Sequence, residues 1–423
     1  MKKIKFFTTI SLLALILITC FTPYTGEEAT ITVNLGDGSG RAVTKNDILN
    51  SLNYTIQVDS QNFGPFAGQT TITISVAAGR RAIGVEGYRN GVLFAEAYTT
   101  EFIRPGQNPI SIHMVPAIIK EVSAVESIMA VWPGTVTNPI QLRFDMELGA
   151  DEWEGILDAI GAATPLKYVT MDLSRCRPGI GLHTSGSWPW EFGLYVDTGP
   201  GTIIFDPDPG SSVFPTTYQS GKAQVLSIIL PNVAEEIKTI SPPVFGGFSS
   251  LVRAEGRNVT IIGGDTFNNV HTLTSADFPK ASTINGSAFT ATGLTSISLP
   301  EATLLGPNVF SNCSSLTSVY LPKVTSLGVT TFAYSSSPLP LVITFGSAAP
   351  IVGIETFIGV APKNVTIRVR RGATGYGSLP FTVTGNDSTS NWGNGFRGAG
   401  WNSGFSGSLT DINTNISLTI VPF

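Results

Sequence analysis

Cysteine is nearly missing from this chain of 423 residues, which has three in all, at 20, 176 and 313. So few cannot make a disulfide framework, and stability has to come from an apolar core. Histidine is as scarce, at 113, 183 and 271, and no His-x-x-x-His or Cys-x-x-Cys pair offers metal-ligand spacing. Charged residues make up 13%, against about a quarter in ordinary globular domains. Net charge is −5 with no basic patch, which argues against an electrostatic grip on nucleic acid. There is no Gly-x-Ser-x-Gly nucleophile elbow. The Gly/Asp stretches "GGDTFNNV" and "NLGDGSGRA" do not join strand to helix as a phosphate loop does. Abundant instead are Gly (45), Pro (27), Ser, Thr and Asn, a composition of strands and turns.

Residues 1–19 read as an export signal, with Lys2, Lys3 and Lys5 ahead of an apolar stretch from Phe6 to Thr19 that is too short to cross a bilayer with margin. The stretch ends Leu17-Ile18-Thr19-Cys20, and a Leu three residues before a Cys resembles the lipobox of bacterial lipoproteins. The resemblance implies lipidation at Cys20, a tether over 20–28 and a membrane-anchored location, expected at the outer membrane or cell surface. Thr19 departs from the Gly, Ala or Ser commoner at that place. The other reading is an ordinary signal peptide cut near Cys20. Both readings export the chain, and removing three lysines takes the net charge from −5 to −8.

Residues 29–117 alternate apolar and polar side chains in "ATITVNL", "YTIQVDS", "TTITISVAA", "RAIGVEGYRNGVLFAEAYT" and "NPISIHMVP". "RNG" at 89–91 marks a tight hairpin turn. About six strands in such a length predict an antiparallel β-sandwich, immunoglobulin-like or transthyretin-like. His113 alternates with Ile112 and Met114 and so should face solvent. Residues 118–150, with Pro133 and Pro139, read as a connector. In "GADEWEGILDAIGAAT" (149–164) the period changes, and Trp153, Ile156, Leu157 and Ile160 share one face of a helix. Asp151, Glu152 and Glu154 fall in its first turn, where carboxylates suit the helix dipole.

The strongest regularity is a repeat. Phe recurs at 245, 267, 289, 310, 332 and 357, and Leu follows at 251, 273, 294 and 316, then more loosely at 339 or 341. The clearest units read "LTSADFP" (273–279), "LTSISLP" (294–300) and "LTSVYLP" (316–322), each with a Phe ten residues after its Pro. Positions 4 and 6 of such a strand point into a core, and positions 3 and 5 point out. No single coil buries its own apolar face, so coils must stack into a parallel sheet. Looser copies lie at 225–245 and 251–267, with "LKYVTMDLSRC" (166–176) as the expected first strand and "NVTIRVR" (364–370) as the expected last. The period and the L-x-x-L-x-L core resemble leucine-rich repeats. "FSNCSSLTSVYLP" (310–322) is similar to the unit of the BspA-like leucine-rich repeat proteins of bacterial surfaces. Over 166–371 that resemblance implies a non-catalytic surface protein that adheres to host or bacterial partners.

The expected fold is therefore mainly β: an N-terminal immunoglobulin-like β-sandwich (29–117), then a leucine-rich repeat solenoid with an N-terminal cap helix (151–371). A Gly/aromatic-rich cap region (372–423) follows. The candidate ligand-contact face is the outward strand positions Arg253, Glu255, Ser275, Asp277, Ser296, Ser298, Ser318 and Tyr320. It is polar and weakly charged, and suits a host matrix or bacterial surface protein or a glycan. No catalytic residue, cofactor or metal is expected. "FDPDPG" (205–210) offers Asp206 and Asp208 either as a rigid turn or as weak cation or acid candidates. Trp392, Phe396, Trp401 and Phe405 either cap the solenoid, with "NISLTIVPF" (415–423) as a final strand, or stack on sugars. Cys176 and Cys313 lie about six coils, roughly 30 Å, apart, too far for a disulfide, and should be free and buried.

Overall fold

A computed structural model of the chain describes residues 28–36, 50–179, 193–196, 202–206, 216–237, 245–335, 339, 341–348, 350–352, 356–357, 360, 365–369 and 419–422. The export signal, Cys20, His183, Asp208 and the aromatic segment 390–408 lie outside these residues. Two compact units are present, Met1–Ala117 and Ile118–Phe423.

In the first unit, period-two sequences make strands with one buried face. The strands are β1 (Glu28–Gly36), β2 (Asn53–Val58), β3 (Gln61–Ala67), β4 (Thr71–Ala77), β5 (Gly79–Arg89), β6 (Val92–Ile103), β7 (Gly106–His113) and β8 (Val115–Pro116). They form a three-stranded sheet, β4-β1-β7, and a five-stranded sheet, β3-β2-β5-β6-β8. Ile31, Val33, Ile72, Ile74, Ile110 and Ile112 are buried from the first, and Tyr54, Ile56, Ile83, Val85, Ala95 and Ala97 from the second. The expected hairpin joins β5 to β6, with Asn90 and Gly91 at φ 50° and 81°, as a tight two-residue turn requires. His113 is exposed, as its alternation implied.

Two features differ from expectation. β1 pairs parallel with β7, so the smaller sheet is mixed and not antiparallel; the chain reaches β7 from β6 of the other sheet and not through a hairpin with β1. β3 is an additional strand, whose Gly64-Pro65 hid it; it lies at a sheet edge, where proline removes no central ladder bond.

The second unit begins with strands where a connector was expected. β9 (Ile118–Ile119), β10 (Ile140–Phe144) and β11 (Glu147–Leu148) fall within 118–150, as does the helix α1 (Val122–Val131). β10 runs parallel to β9 on one side and to β12 (Val169–Asp172) on the other, so the repeat sheet starts two strands before residue 166. Helix α2 (Ala150–Gly161) buries Trp153, Ile156, Leu157 and Ile160, and the Gly149 N–H donates to Glu152 Oε2 at 3.0 Å. α3 (Thr216–Ala223) packs against it at two glycines. A Cβ at Gly161 would lie 1.8 Å from the Thr217 carbonyl oxygen, and one at Gly221 would lie 2.0 Å from that of Leu157. Close backbone approach fixes both as glycine.

β13 (Arg177–Pro178) pairs with β11, and β14 (Gly193–Val196) runs antiparallel to β15 (Ile203–Asp206). The coils follow, each a core strand and then a two-residue strand: β16 (Val225–Ile229) and β17 (Glu236–Ile237), β18 (Arg253–Glu255) and β19 (Ile261–Ile262), β20 (Ser275–Asp277) and β21 (Thr283–Ile284), β22 (Ser296–Ser298) and β23 (Leu304–Leu305), β24 (Ser318–Leu321) and β25 (Ser326–Leu327), β26 (Leu341–Phe345) and β27 (Ile351–Val352). β28 (Val365–Val369), the expected last repeat strand, is followed in the sheet by β29 (Thr419–Pro422), within the stretch 415–423 expected as a final strand. The paired core strands run parallel, in two sheets divided between β20 and β22, and the short strands pair parallel in a single ladder.

Between the two ladders lies the core. Leu251, Leu273, Leu294 and Leu316 are fully buried. Of the two looser candidates, Leu341 is buried and Leu339 is 62% exposed. The recurrent Phe rings are stacked, with centroids 4.7, 5.3, 5.6, 5.6 and 5.4 Å apart from Phe245 to Phe357 and planes within 17° of parallel. Phe205 continues the column toward the cap and meets Trp153 edge-on at 5.5 Å. Each Phe is buried, worth about 1.5–3 kcal/mol per side chain, so the stack holds without a disulfide. Thr260, Ser282, Thr303 and Thr325 each donate a hydroxyl to a carbonyl of the preceding coil at 3.1–3.2 Å, which fixes the register at a corner.

Candidate functional site: the outward face of the repeat sheet

Because strand side chains alternate, burying positions 4 and 6 of each unit sends positions 3 and 5 to the opposite face. Ala254, Ile297 and Val319 are buried at position 4, and Phe278, Leu299 and Leu321 at position 6. The outward positions then line up by register. Arg253 lies beside Ser275 and Glu255 beside Asp277. Ser296 lies beside Ser318 and Ser298 beside Tyr320. The structure thus places the eight candidate residues on two successive sheets: Arg253, Glu255, Ser275 and Asp277 on the six-stranded sheet that ends at β20, and Ser296, Ser298, Ser318 and Tyr320 on the five-stranded sheet that starts at the neighbouring β22.

One of the eight differs in exposure. Arg253, Asp277, Ser296, Ser298, Ser318 and Tyr320 are exposed and Ser275 is half-buried, but Glu255 is buried. Its Oε1 accepts from Arg253 Nε at 2.6 Å, with the glutamate side chain 8% exposed and the arginine 48%. In register it sits between Ile229 and Asp277. Alternation gives the side a residue points to; it does not show that a longer neighbour lies over it. Glu255 therefore orients Arg253, and the guanidinium is the group presented outward.

The face is longer than sequence spacing indicated. Gln141 and Arg143 of β10 pair in register with Thr170 and Asp172 of β12 at one end. Val342 and Thr344, then Thr366 and Arg368, extend the columns at the other. The alternations "IQLRF" and "LVITF" were the available signals, though neither carries the Leu-Thr-Ser core. Along the edge just past the prolines runs a rim in which Lys280 Nζ reaches Asn258 Oδ1 at 2.7 Å and Lys323 Nζ reaches Glu301 Oε2 at 2.6 Å. The centre is small serines and Tyr320, 39% exposed, between Ser298 and Thr344. Such a surface is flat and weakly charged, with hydroxyls and one ring to offer a ligand.

The other candidates are placed differently. Asp206 ends β15 and is fully buried. A hollow of about 490 Å³ lies among the helices, lined by Glu126, Met129, Asp158, alanines 130, 159, 162 and 163, and Thr217. Within it the Thr217 hydroxyl donates to Asp158 Oδ1 at 2.9 Å. Among the described residues no three His, Cys, Asp or Glu side chains come together as a metal would require. His271 is exposed. Cys176 and Cys313 are free and buried. Burial pushes the Cys176 thiol up to about 12 and raises that of Cys313 as well. Cys313 Sγ donates to the Phe289 carbonyl at 3.0 Å, in a column with Thr292 and Ser335.

The BspA-type leucine-rich repeat region matches residues 218–339 in six copies, and that segment is such a repeat region. Two solved structures are similar. A leucine-rich repeat protein from Bacteroides ovatus is 20% identical, with 36% of this chain and 51% of that one covered and a TM-score of 0.27. A leucine-rich cell surface protein from Faecalibacterium prausnitzii is 13% identical, with 45% of this chain and 76% of that one covered and a TM-score of 0.21. The chain thus spans about half the length of the first. No curated protein matches the chain.

Proposed function

We propose that this BspA-type leucine-rich repeat chain is an exported bacterial surface lipoprotein whose repeat sheet adheres, without catalysis, to a host matrix or bacterial surface protein or glycan. One observation supports the proposal: outward side chains aligned by register on two successive sheets, one carrying Arg253 and the next Tyr320. Small hydroxyl side chains leave the backbone approachable, and the single ring and guanidinium supply the anchors that binding faces commonly use. Cys20 would carry the lipid, and the first unit, taken as an immunoglobulin-like sandwich, would hold the repeats away from the membrane. The Faecalibacterium protein is described as a cell surface protein, which agrees with this location.

Three measurements test the proposal. Metabolic labelling with a fatty-acid probe should mark the full chain and not its Cys20→Ser variant, and protease applied to intact cells should remove it. The purified chain should also bind matrix proteins or bacterial cells saturably. A labelled, surface-exposed chain that binds none of them would instead be a structural component of the envelope.

A further inference from the structure

A second surface, in Met1–Ala117, offers a different chemistry. Strand β6 carries Glu96, Tyr98, Thr100 and Phe102 on its outward face, with Tyr98 65% and Phe102 64% exposed. Register sets Gly84 of β5 opposite Tyr98 and Glu86 opposite Glu96. A Cβ at Gly84 would lie 3.0 Å from Tyr98 Cε1 and 3.2 Å from its Cδ1. The Cδ1–Cε1 edge of the ring therefore approaches the bare backbone of the neighbouring strand, where a side chain would block it, and most of the residue stays open to solvent. On the same side Tyr88 donates its hydroxyl to Glu86 Oε2 at 2.6 Å. The Tyr98 hydroxyl is raised by partial burial and then by Glu96 and Glu86, so both carboxylates act at the ring's edge.

We propose that this face binds a neutral glycan, whose pyranose rings stack on Tyr98 and Phe102 while their hydroxyls donate to Glu86 and Glu96. A sugar presents a flat C–H face and a rim of O–H donors. The sheet presents flat rings and, beside them, ionised acceptors. Tyr98 and Phe102 are four residues apart on one strand, about 13 Å, which suits a chain of sugars better than a single ring. A protein partner is a poorer match, since Thr100 separates the two rings, Arg80 faces Phe102, and no continuous apolar patch results. An acidic polysaccharide would meet the two carboxylates with like charge.

The test is native electrophoresis of the full chain through gels holding soluble mixed-linkage β-glucan, xylan or mannan, with heparin and polygalacturonate gels alongside. At least one neutral polysaccharide should retard the chain, and the two polyanions should not. Tyr98→Ala should weaken the interaction about tenfold, Phe102→Ala several-fold, and Tyr98→Phe little. Melting curves identify any variant that is misfolded; if Tyr98→Ala is, Phe102→Ala and Glu86→Gln carry the test. Leu304→Ala, at an exposed position on the short-strand ladder and outside both faces, should leave the retardation unchanged. The proposal is overturned if no neutral polysaccharide retards the chain. It is also overturned if only polyanions do, or if folded Phe102→Ala and Glu86→Gln variants behave as the parent.

Discussion

Two residues before the Phe of a coil, and two after it, the backbone turns left-handed. The earlier position is Asp265, Ser287, Asn308 and Thr330, with φ of 55–58°, and the later one is Asn269, Ala291, Asn312 and Tyr334, with φ of 55–63°. Asp and Asn tolerate this region, whereas Ala and Tyr carry a penalty of roughly 1–2 kcal/mol. Tyr334 is more than half exposed. Tyr334→Gly should therefore raise stability by about 1 kcal/mol, seen as a higher urea midpoint; a lower midpoint would show that the ring contributes more than the strain costs. The thiols give a pH dependence. With its pKa raised by burial to about 12, Cys176 keeps its proton in the folded chain where the unfolded chain loses it. Its contribution is complete below the ordinary thiol range near 8.5 and is lost as pH rises toward 12, by about 1.4 kcal/mol per unit. Urea unfolding between about pH 8 and 11 should show a steeper alkaline loss in the parent than in Cys176→Ala; equal slopes would place the loss elsewhere.

Among the elements, the Phe column was legible because its spacing is nearly constant and each ring has the same neighbour one coil away. Phe289 stacks between Phe267 and Phe310, at 5.3 and 5.6 Å. Phe289→Ala should destabilise the repeat unit by about 3–5 kcal/mol, measured by denaturant unfolding, because both stacked neighbours lose a partner and the coils cannot close the gap. Elements lacking such a column were hidden. β10 lies just past Pro139 and well before the first Phe of the series, so its alternation of Ile140, Leu142 and Phe144 reads as part of a connector. β3 was hidden by Gly64-Pro65. Gly161 gave no sequence signal, because close approach to Thr217 exists only once α2 and α3 have docked. Gly161→Ala should cost about 1–3 kcal/mol by forcing these helices apart, and a melting temperature equal to the parent's would refute that packing role.

On the scale of the whole molecule, each unit is a β structure that gives one face to its core and the other to solvent. Sequence spacing was sufficient for the direction of the outward columns in Ile118–Phe423. It was insufficient for Glu255, whose burial depends on a neighbour's side chain. It also gave no warning of the Tyr98 face, since single aromatics in alternating strands carry no periodic mark. Phe and Leu hold the stack, and the proposed binding role falls to outward residues such as Tyr320 and Arg253. Equilibrium binding of the full chain to matrix proteins or bacterial cells, compared with folded Tyr320→Ala and Arg253→Ala variants, tests this most directly. Saturable binding weakened about tenfold or more by each substitution is the expected result. Saturable binding of equal strength in parent and both variants would contradict it.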